Sequence, residues 1–252
     1  MTFDLATATD EFWQARARGE FFPVAWFDRL TLDEAYQVQL ALIARRVAAG
    51  DHHIGWKVGL TAKPIQEQFG FHEPVFGCIL ETVPSGTTLQ AGGLIAPGFE
   101  SELCLRIGTE LSGAISMAQA RAAVTAVHPA LEIIETRGDL TAQIAVALAD
   151  NAQQKTCVLG DPVPLGDKRL DQVACRVTMN GTVVAEGTGA AVLGDPMNSV
   201  VWLAGKLAEF GRVIRAGDII MTGSFVRQFP LAAGDKVRVE YRGIGDVAVA
   251  VG

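Results

Sequence analysis

The sequence has 252 residues, 49% hydrophobic and 19% charged, with a net charge of −7. This is a globular composition, long enough for one large domain or a large and a small one, and its acidic balance argues against a nucleic-acid surface. No apolar run reaches the roughly 18 residues of a membrane span, Met1-Thr2-Phe3-Asp4-Leu5 lacks the basic-then-apolar order of a signal peptide, and Cys78, Cys104, Cys157 and Cys175 form no Cys-x-x-Cys pair, so the expectation is a soluble cytoplasmic protein without disulfides or structural zinc.

Residues 1–50 read as helical. Asp10 is positioned to cap a short helix through Phe12, Trp13 and Ala15. Thr31 and Glu34 form a Thr-x-x-Glu capping box; Leu32, Ala35, Tyr36, Ile43 and Val47 follow at near-helical spacing, and Gly50 supplies the stop, giving a helix over 31–49. At Ile54-Gly55-Trp56-Lys57-Val58-Gly59-Leu60-Thr61 the period changes to that of a short strand, whose two glycines predict close backbone approach or a bulge. A short helix over 62–69 and a strand over 76–80 come next. Phe99–Ile107 alternates as a half-buried strand, with Phe99, Leu103, Leu105 and Ile107 on one face and Glu100, Glu102, Cys104 and Arg106 on the other.

Further along, the pattern predicts a helix over 116–127, a strand over 131–136 and a helix over 141–149. Asn180-Gly181 between Val173–Met179 and Thr182–Ala185 is a hairpin signal. Asp195-Pro196 opens a helix with Asp as cap and Pro at its first position; Val200, Leu203, Ala204 and Leu207 form its apolar stripe, and Gly211 closes it. Ile219–Thr222, Lys236–Tyr241 and Val247–Val251 read as strands. Strands and helices do not alternate strictly, so the fold class is α+β, with residues 1–75 a helical N-terminal portion containing one short strand and residues 76–252 a β-rich portion.

Glu100 and Glu102 are spaced by about 6.6–6.8 Å of strand rise, on one side of it, and Glu132 is a third carboxylate on a later strand. A Glu-x-Glu with a remote Glu suits a hard divalent cation, although the strand alone reads more readily as an amphipathic element with a solvated face. Lys57, in an apolar setting, reads either as a lysine snorkelling to solvent or as a partly buried amine that acts as acid or base or pairs with an anionic substrate. Gly187-Thr188-Gly189 imitates part of a dinucleotide fingerprint but lacks its third glycine and its βαβ setting, so a tight backbone path beside a cavity is preferred. Asp150-Asn151, Arg137 and Thr222-Gly223-Ser224 sit at ends of predicted elements and read singly as caps or turns.

Six segments recur in a telling order. These are Gly55-Trp56-Lys57-Val58-Gly59-Leu60-Thr61, Glu100-Ser101-Glu102, Ala130-Leu131-Glu132-Ile133, Ala149-Asp150-Asn151-Ala152, Ala191-Val192-Leu193-Gly194-Asp195-Pro196 and Gly217-Asp218-Ile219-Ile220-Met221-Thr222-Gly223-Ser224. Together they resemble the 2-keto-4-pentenoate hydratase / 4-oxalocrotonate decarboxylase family of the fumarylacetoacetate hydrolase superfamily, from about residue 30 to the C-terminus. The resemblance implies a fumarylacetoacetase C-terminal-like mixed β-sandwich or β-roll with a helical N-terminal portion, usually in a homo-oligomer. It implies Mg²⁺ or Mn²⁺ held by Glu100, Glu102 and Glu132, with Lys57 as the catalytic amine; Lys57, Ser224 and Arg137 are candidate substrate contacts.

The implied activity is a hydro-lyase of aromatic catabolism that adds water to a small 2-hydroxy-2,4-dienoate to give a 4-hydroxy-2-oxo acid. The same electron sink serves the alternative, decarboxylation of 2-oxo-3-hexenedioate. An acylpyruvate hydrolase is a second alternative, needing a base such as His52, His53 or His72, and a non-catalytic 2-oxoacid-binding paralogue is a third. One departure stands out. Family members often carry an acidic residue in a Pro-[Asp/Glu]-[Tyr/Phe]-Gly segment, which here reads Glu73-Pro74-Val75-Phe76-Gly77. Val75 cannot move a proton, so Glu73 or another group compensates, or the reaction differs.

Overall fold

The computed structural model describes residues 3–68 and 72–252. In chain order its elements are α1 (Leu5–Ala17), α2 (Leu32–Ala48), β1 (Gly55–Gly59), α3 (Lys63–Gln68), β2 (Val75–Ile79), β3 (Thr82–Pro84), β4 (Thr88–Leu89), β5 (Pro97–Ile107), α4 (Met117–Ala123), β6 (Val124–Glu135), α5 (Ile144–Ala149), β7 (Gln154–Leu159), β8 (Val163–Pro164), β9 (Ala174–Met179), β10 (Thr182–Thr188), α6 (Met197–Glu209), β11 (Ile219–Met221), β12 (Phe229–Pro230), β13 (Lys236–Tyr241) and β14 (Gly245–Val251). They build the expected α+β architecture.

A large mixed sheet runs β2-β1-β11-β5-β6-β7-β3, with β12 pairing β5 and β8 pairing β6. A second sheet runs β10-β9-β13-β14-β4 and packs against β6 and β7. Tyr241 of β13 fixes the two together, its hydroxyl donating to the Ala130 carbonyl at 3.2 Å. The core continues from α1 and α2 through both sheets to α6. Strand β1 lies inside the large sheet, between β2 and β11, and the expected division at 75/76 runs through β2.

Local chemistry explains the best-defined elements. Thr31 and Glu34 form the reciprocal capping box at the start of α2. Asn180 and Gly181 take φ of 52° and 81° between β9 and β10, as a primed two-residue turn requires. Gly55 approaches β11 so closely that a Cβ would lie 2.0 Å from the Ile219 carbonyl oxygen. At Gly189 it would lie 1.9 Å from the Leu170 carbonyl oxygen, so the glycine pair at 187–189 is a tight backbone path.

Several boundaries differ from the sequence pattern. Asp4, not Asp10, caps α1; Asp10 lies within it and pairs with Arg45 of α2. The expected helix over 116–127 stops at Ala123, because the β-branched run around Val124, Thr125 and Val127 extends β6 along β5. Asp195 caps α6 from one position further out, accepting from the Met197 amide at 2.9 Å. Residue 69 of the expected 62–69 helix lies outside the described residues. Strand β7, which the pattern did not separate from its surroundings, pairs with β6 and buries Cys157 and Val158.

Candidate active site

The long antiparallel pair β5–β6 sets the site. Its register places Glu100 directly opposite Glu132, and Glu102 opposite Ala130. Like charges facing each other across strands are unfavourable, and here they are withdrawn from water: Glu102 and Glu132 are fully buried, while Glu100 is half-buried and faces a cavity. One carboxylate oxygen from each lies within 4.8 Å of the others. At that separation each ionised pair repels by roughly 3 kcal/mol at an effective dielectric near 20.

Few internal partners offset this. Glu102 Oε2 accepts from the Gly223 amide at 2.8 Å. Glu102 Oε1 and both oxygens of Glu132 are buried with no hydrogen-bond partner among the described residues. Lys57 comes from β1, separated from β6 by β11 and β5, and its Nζ stands 3.2 Å from Glu132 Oε1; the two form an ion pair whose alignment falls short of a hydrogen bond. Native interiors rarely leave buried acceptors unpaired. Three converging, under-satisfied carboxylates are an all-oxygen donor set fitted to a hard divalent cation such as Mg²⁺ or Mn²⁺.

Without such an ion each carboxyl is shifted toward its protonated form. Burial, reinforced by Glu132 and opposed by Lys57, pushes Glu100 up to about 7. Burial and the charges of Glu132 and Glu100 hold Glu102 well above its ordinary range, against the Gly223 amide and Lys57. Glu132 is also raised by burial, with Lys57 opposing. Burial alone would push the Lys57 amine down, but Glu132, Glu100 and Glu102 outweigh it and the net direction is up. Lys57 is therefore a buried ammonium.

The cavity above the carboxylates has a volume of about 260 Å³. Val75, Ile134, Leu140, Ile144 and Leu148 make much of its wall, and Lys57, Glu100, Thr61, Gln153 and Ser224 supply polar groups. The Ser224 hydroxyl accepts from the Ser101 amide at 3.1 Å and lies 3.3 Å from the Ser101 carbonyl, which ties the loop after β11 to β5. Arg227 stands at the rim, its guanidinium 3.9 Å from the Phe229 ring centroid.

One candidate substrate contact lies elsewhere. Arg137 does not line the cavity; its guanidinium is buried and engaged with Glu135, Asp150 and the Asp150 carbonyl. Arg16 of α1 pairs with the same Asp150 at 3.1 Å. The network anchors the segment that follows α5. There Asn151, Ala152 and Gln153 take φ of 58°, 48° and 61° in succession, three left-handed residues without a glycine. Asn151 holds them in place by mimicking a strand partner for Cys78, accepting from its amide at 2.7 Å and donating to its carbonyl at 2.8 Å. Ala152 and Gln153 thereby form cavity wall. The sequence marked Asp150-Asn151 singly as a cap or turn and as part of one of the six ordered segments, and Gln153 carried no signal.

Val75 lines the cavity, but Glu73 does not; it is exposed and its carboxylate accepts from Lys206 of α6 at 3.0 Å. No histidine is among the described residues that line the cavity, so none of His52, His53 and His72 stands where a hydrolase base is needed.

A helical segment leading into a mixed sheet, with three carboxylates and an amine at the floor of one cavity, defines a protein of the fumarylacetoacetate hydrolase fold class. Residues 71–252 match the family model described as fumarylacetoacetate (FAA) hydrolase C-terminal, and the chain belongs to that family. It is 33% identical over 230 residues to 2-hydroxyhexa-2,4-dienoate hydratase of Comamonas testosteroni, covering 87% of this chain and 86% of that one. It is 33% identical over 250 residues to 2-keto-4-pentenoate hydratase of Paraburkholderia xenovorans, covering 95% and 92%. Its fold matches 4-oxalocrotonate decarboxylase from Pseudomonas putida G7, complexed with magnesium and adipate, with a TM-score of 0.93, 31% identity and 99% coverage of both chains.

Proposed function

We propose that the protein is a divalent-metal-dependent hydro-lyase that adds water to a small 2-hydroxy-2,4-dienoate and yields a 4-hydroxy-2-oxo acid. The observation that carries this reading is the cluster of Glu100, Glu102 and Glu132, with under-satisfied buried oxygens, beneath a small cavity into which Lys57 projects. The three glutamates would hold Mg²⁺ or Mn²⁺, which supplies Lewis-acid stabilisation of charge on an oxygen of a 2-oxo or 2-hydroxy carboxylate. The relatives named as hydratases support the reaction class.

The chain's own groups then divide the work. The Lys57 ammonium neutralises the substrate carboxylate or gives its proton to the dienol carbon as the ketone forms. The Ser224 and Thr61 hydroxyls and the Gln153 carboxamide are the neutral groups available to orient the added water. The apolar wall from Leu140, Ile144 and Leu148 covers the hydrocarbon end of the substrate and limits access of bulk water. Val75 contributes shape and no proton transfer.

The structural match to a decarboxylase crystallised with the dicarboxylate adipate favours a second reading, decarboxylation of 2-oxo-3-hexenedioate. Cytoplasmic location and assembly into a homo-oligomer belong to the same proposal. Four buried free cysteines are compatible with a reducing compartment, and among the described residues no helix is long and apolar enough to cross a membrane. The edge strand β10, with Val183 and Val184 exposed, offers a surface for self-association.

A paired assay decides the chemistry. The Mg²⁺-loaded protein is given 2-hydroxypenta-2,4-dienoate or 2-oxohex-3-enedioate while dienol absorbance and CO₂ are followed. Loss of absorbance without CO₂ is the expected result; CO₂ release from the dicarboxylate moves the assignment to decarboxylase, and no turnover of either removes both.

A further inference from the structure

A second cleft lies apart from the carboxylate site, beside the residue next to Lys57. It has a volume of about 310 Å³ and is bounded by α2, by Trp56 and Cys78, and by the segment 211–218 that leads into β11. Lys57 and the three clustered glutamates take no part in its lining. Its volume is at the lower end of the roughly 300–1,000 Å³ range of small-ligand sites.

The lining divides by chemistry. Ile43, Trp56 and Cys78 give a buried apolar floor. His53, Arg212, Arg215 and Asp218 supply the polar groups. Asp218 is already engaged: its Oδ2 accepts from the Trp56 indole at 3.1 Å and from the Arg215 amide at 2.9 Å. Neither the Arg212 nor the Arg215 guanidinium forms an ion pair among the described residues, and both side chains are exposed at the mouth.

His53 is the remaining group. Its ring packs edge-on against Trp56, with centroids 4.5 Å apart at 65°, and forms part of the cleft wall. Its Nε2 is turned away from solvent, buried with no hydrogen-bond partner among the described residues. Burial lowers the imidazole's pKa, with Asp218 opposing and the two arginines assisting, so the ring adds a largely apolar surface to the wall.

We propose that this cleft is a second binding site, for a small carboxylate carrying an aromatic or short aliphatic body. Two guanidinium forks match the planar carboxylate, and the apolar body lies against the His53 ring, Trp56 and Ile43. Two arginines against one internally engaged aspartate leave the lining net cationic, which selects an anion. The apolar floor selects an organic one over an inorganic oxyanion.

Benzoate titrated into the full-length Mg²⁺-loaded protein by calorimetry tests the site, with neutral benzamide and inorganic phosphate as comparisons. The metal centre can also take a carboxylate, so the expected result is saturable binding whose cleft component, one benzoate per chain, is read in E100Q/E132Q. That component weakens by about tenfold or more in R212Q/R215Q, and in A44F, which fills the cleft from an exposed position on α2 and leaves both arginines in place. Benzoate binding persists in E100Q/E132Q, which separates the cleft from the metal centre. Absence of saturable binding to the wild type, equal affinity in both cleft variants, loss of binding only in E100Q/E132Q, or phosphate binding as tightly as benzoate each overturns the proposal.

Discussion

The amide of Gly223 donates to Glu102 Oε2 at 2.8 Å, the one hydrogen bond that the fully buried Glu102 carboxylate receives among the described residues. The bond depends on a backbone shape that only glycine adopts freely. Gly223 has φ of 109°, and a Cβ there would lie 2.4 Å from Thr61 Oγ1. G223A is expected to lose about 1–3 kcal/mol of stability and to weaken metal binding, because the amide that orients Glu102 moves. Thermal melts with and without Mg²⁺ check this; an unchanged melting temperature and Mg²⁺ response would remove the positioning role of the amide.

The carboxylate cluster predicts a loss of metal response that is separable from its effect on the metal-free chain. In E100Q/E132Q the repulsion among the carboxylates is relieved, but the buried Lys57 ammonium loses its Glu132 partner, so the metal-free variant is expected to be no more stable than the wild type. Its Mg²⁺-dependent rise in melting temperature should disappear, since a ligand that binds only the folded state stabilises in proportion to its binding. A double variant that still responds to Mg²⁺ like its parent places the ion elsewhere.

The pH dependence has a definite sign. Glu100, Glu102 and Glu132 are raised above their ordinary value of 4.5, Glu100 to about 7. Between these values the folded metal-free chain holds protons that the unfolded chain has lost, so stability present below about pH 4.5 is lost as the pH rises toward 7 and beyond. The metal needs the deprotonated carboxylates, so its stabilisation grows over the same interval. The melting temperatures with and without Mg²⁺ are expected to diverge from pH 5.5 to about pH 8; parallel curves would show that these carboxyls do not bind the ion.

Lys57 is the group whose removal should affect turnover most directly. K57M is expected to lower kcat by about 10²–10⁴ if the amine transfers a proton, with Mg²⁺-dependent stabilisation retained. If the amine only anchors the substrate carboxylate, the loss falls on KM and K57R recovers part of it. Loss of the Mg²⁺ response in K57M instead would make Lys57 a structural partner of Glu132.

How far the site was legible in the sequence follows from how each residue gets there. Strand alternation puts Glu100 and Glu102 on one side without separating a site from a solvated face, and the apolar setting of Lys57 leaves two readings open; the ordered set of six segments singles all three out. The register that sets Glu132 opposite Glu100 is long-range, and no local period encodes it. Helix α2 and the Asn180-Gly181 hairpin were legible because caps and turns are local chemistry. Strand β7 was not, because its pairing to β6 rather than its own alternation makes it a strand. Arg137 read singly as a cap or turn residue and was a candidate substrate contact only beside the resemblance; only the fold reveals that Glu135 and Asp150 occupy its guanidinium.

The least legible feature is the left-handed run at Asn151, Ala152 and Gln153, and it leads to the last prediction. Non-glycine residues held there cost of order 1–3 kcal/mol each, so the surroundings must enforce the shape. Asn151 does so through both carboxamide contacts to Cys78, and Asp150 through Arg137 and Arg16. N151A removes the clamp and leaves the Cys78 amide and carbonyl buried without partners. It should destabilise the protein by about 1–3 kcal/mol and raise KM or lower kcat, because Ala152 and Gln153 no longer hold the cavity wall. N151G relaxes the strain but not the clamp, so it should recover stability more than activity. Equal recovery of both would mean that the strain alone, and not the Cys78 contact, positions this wall.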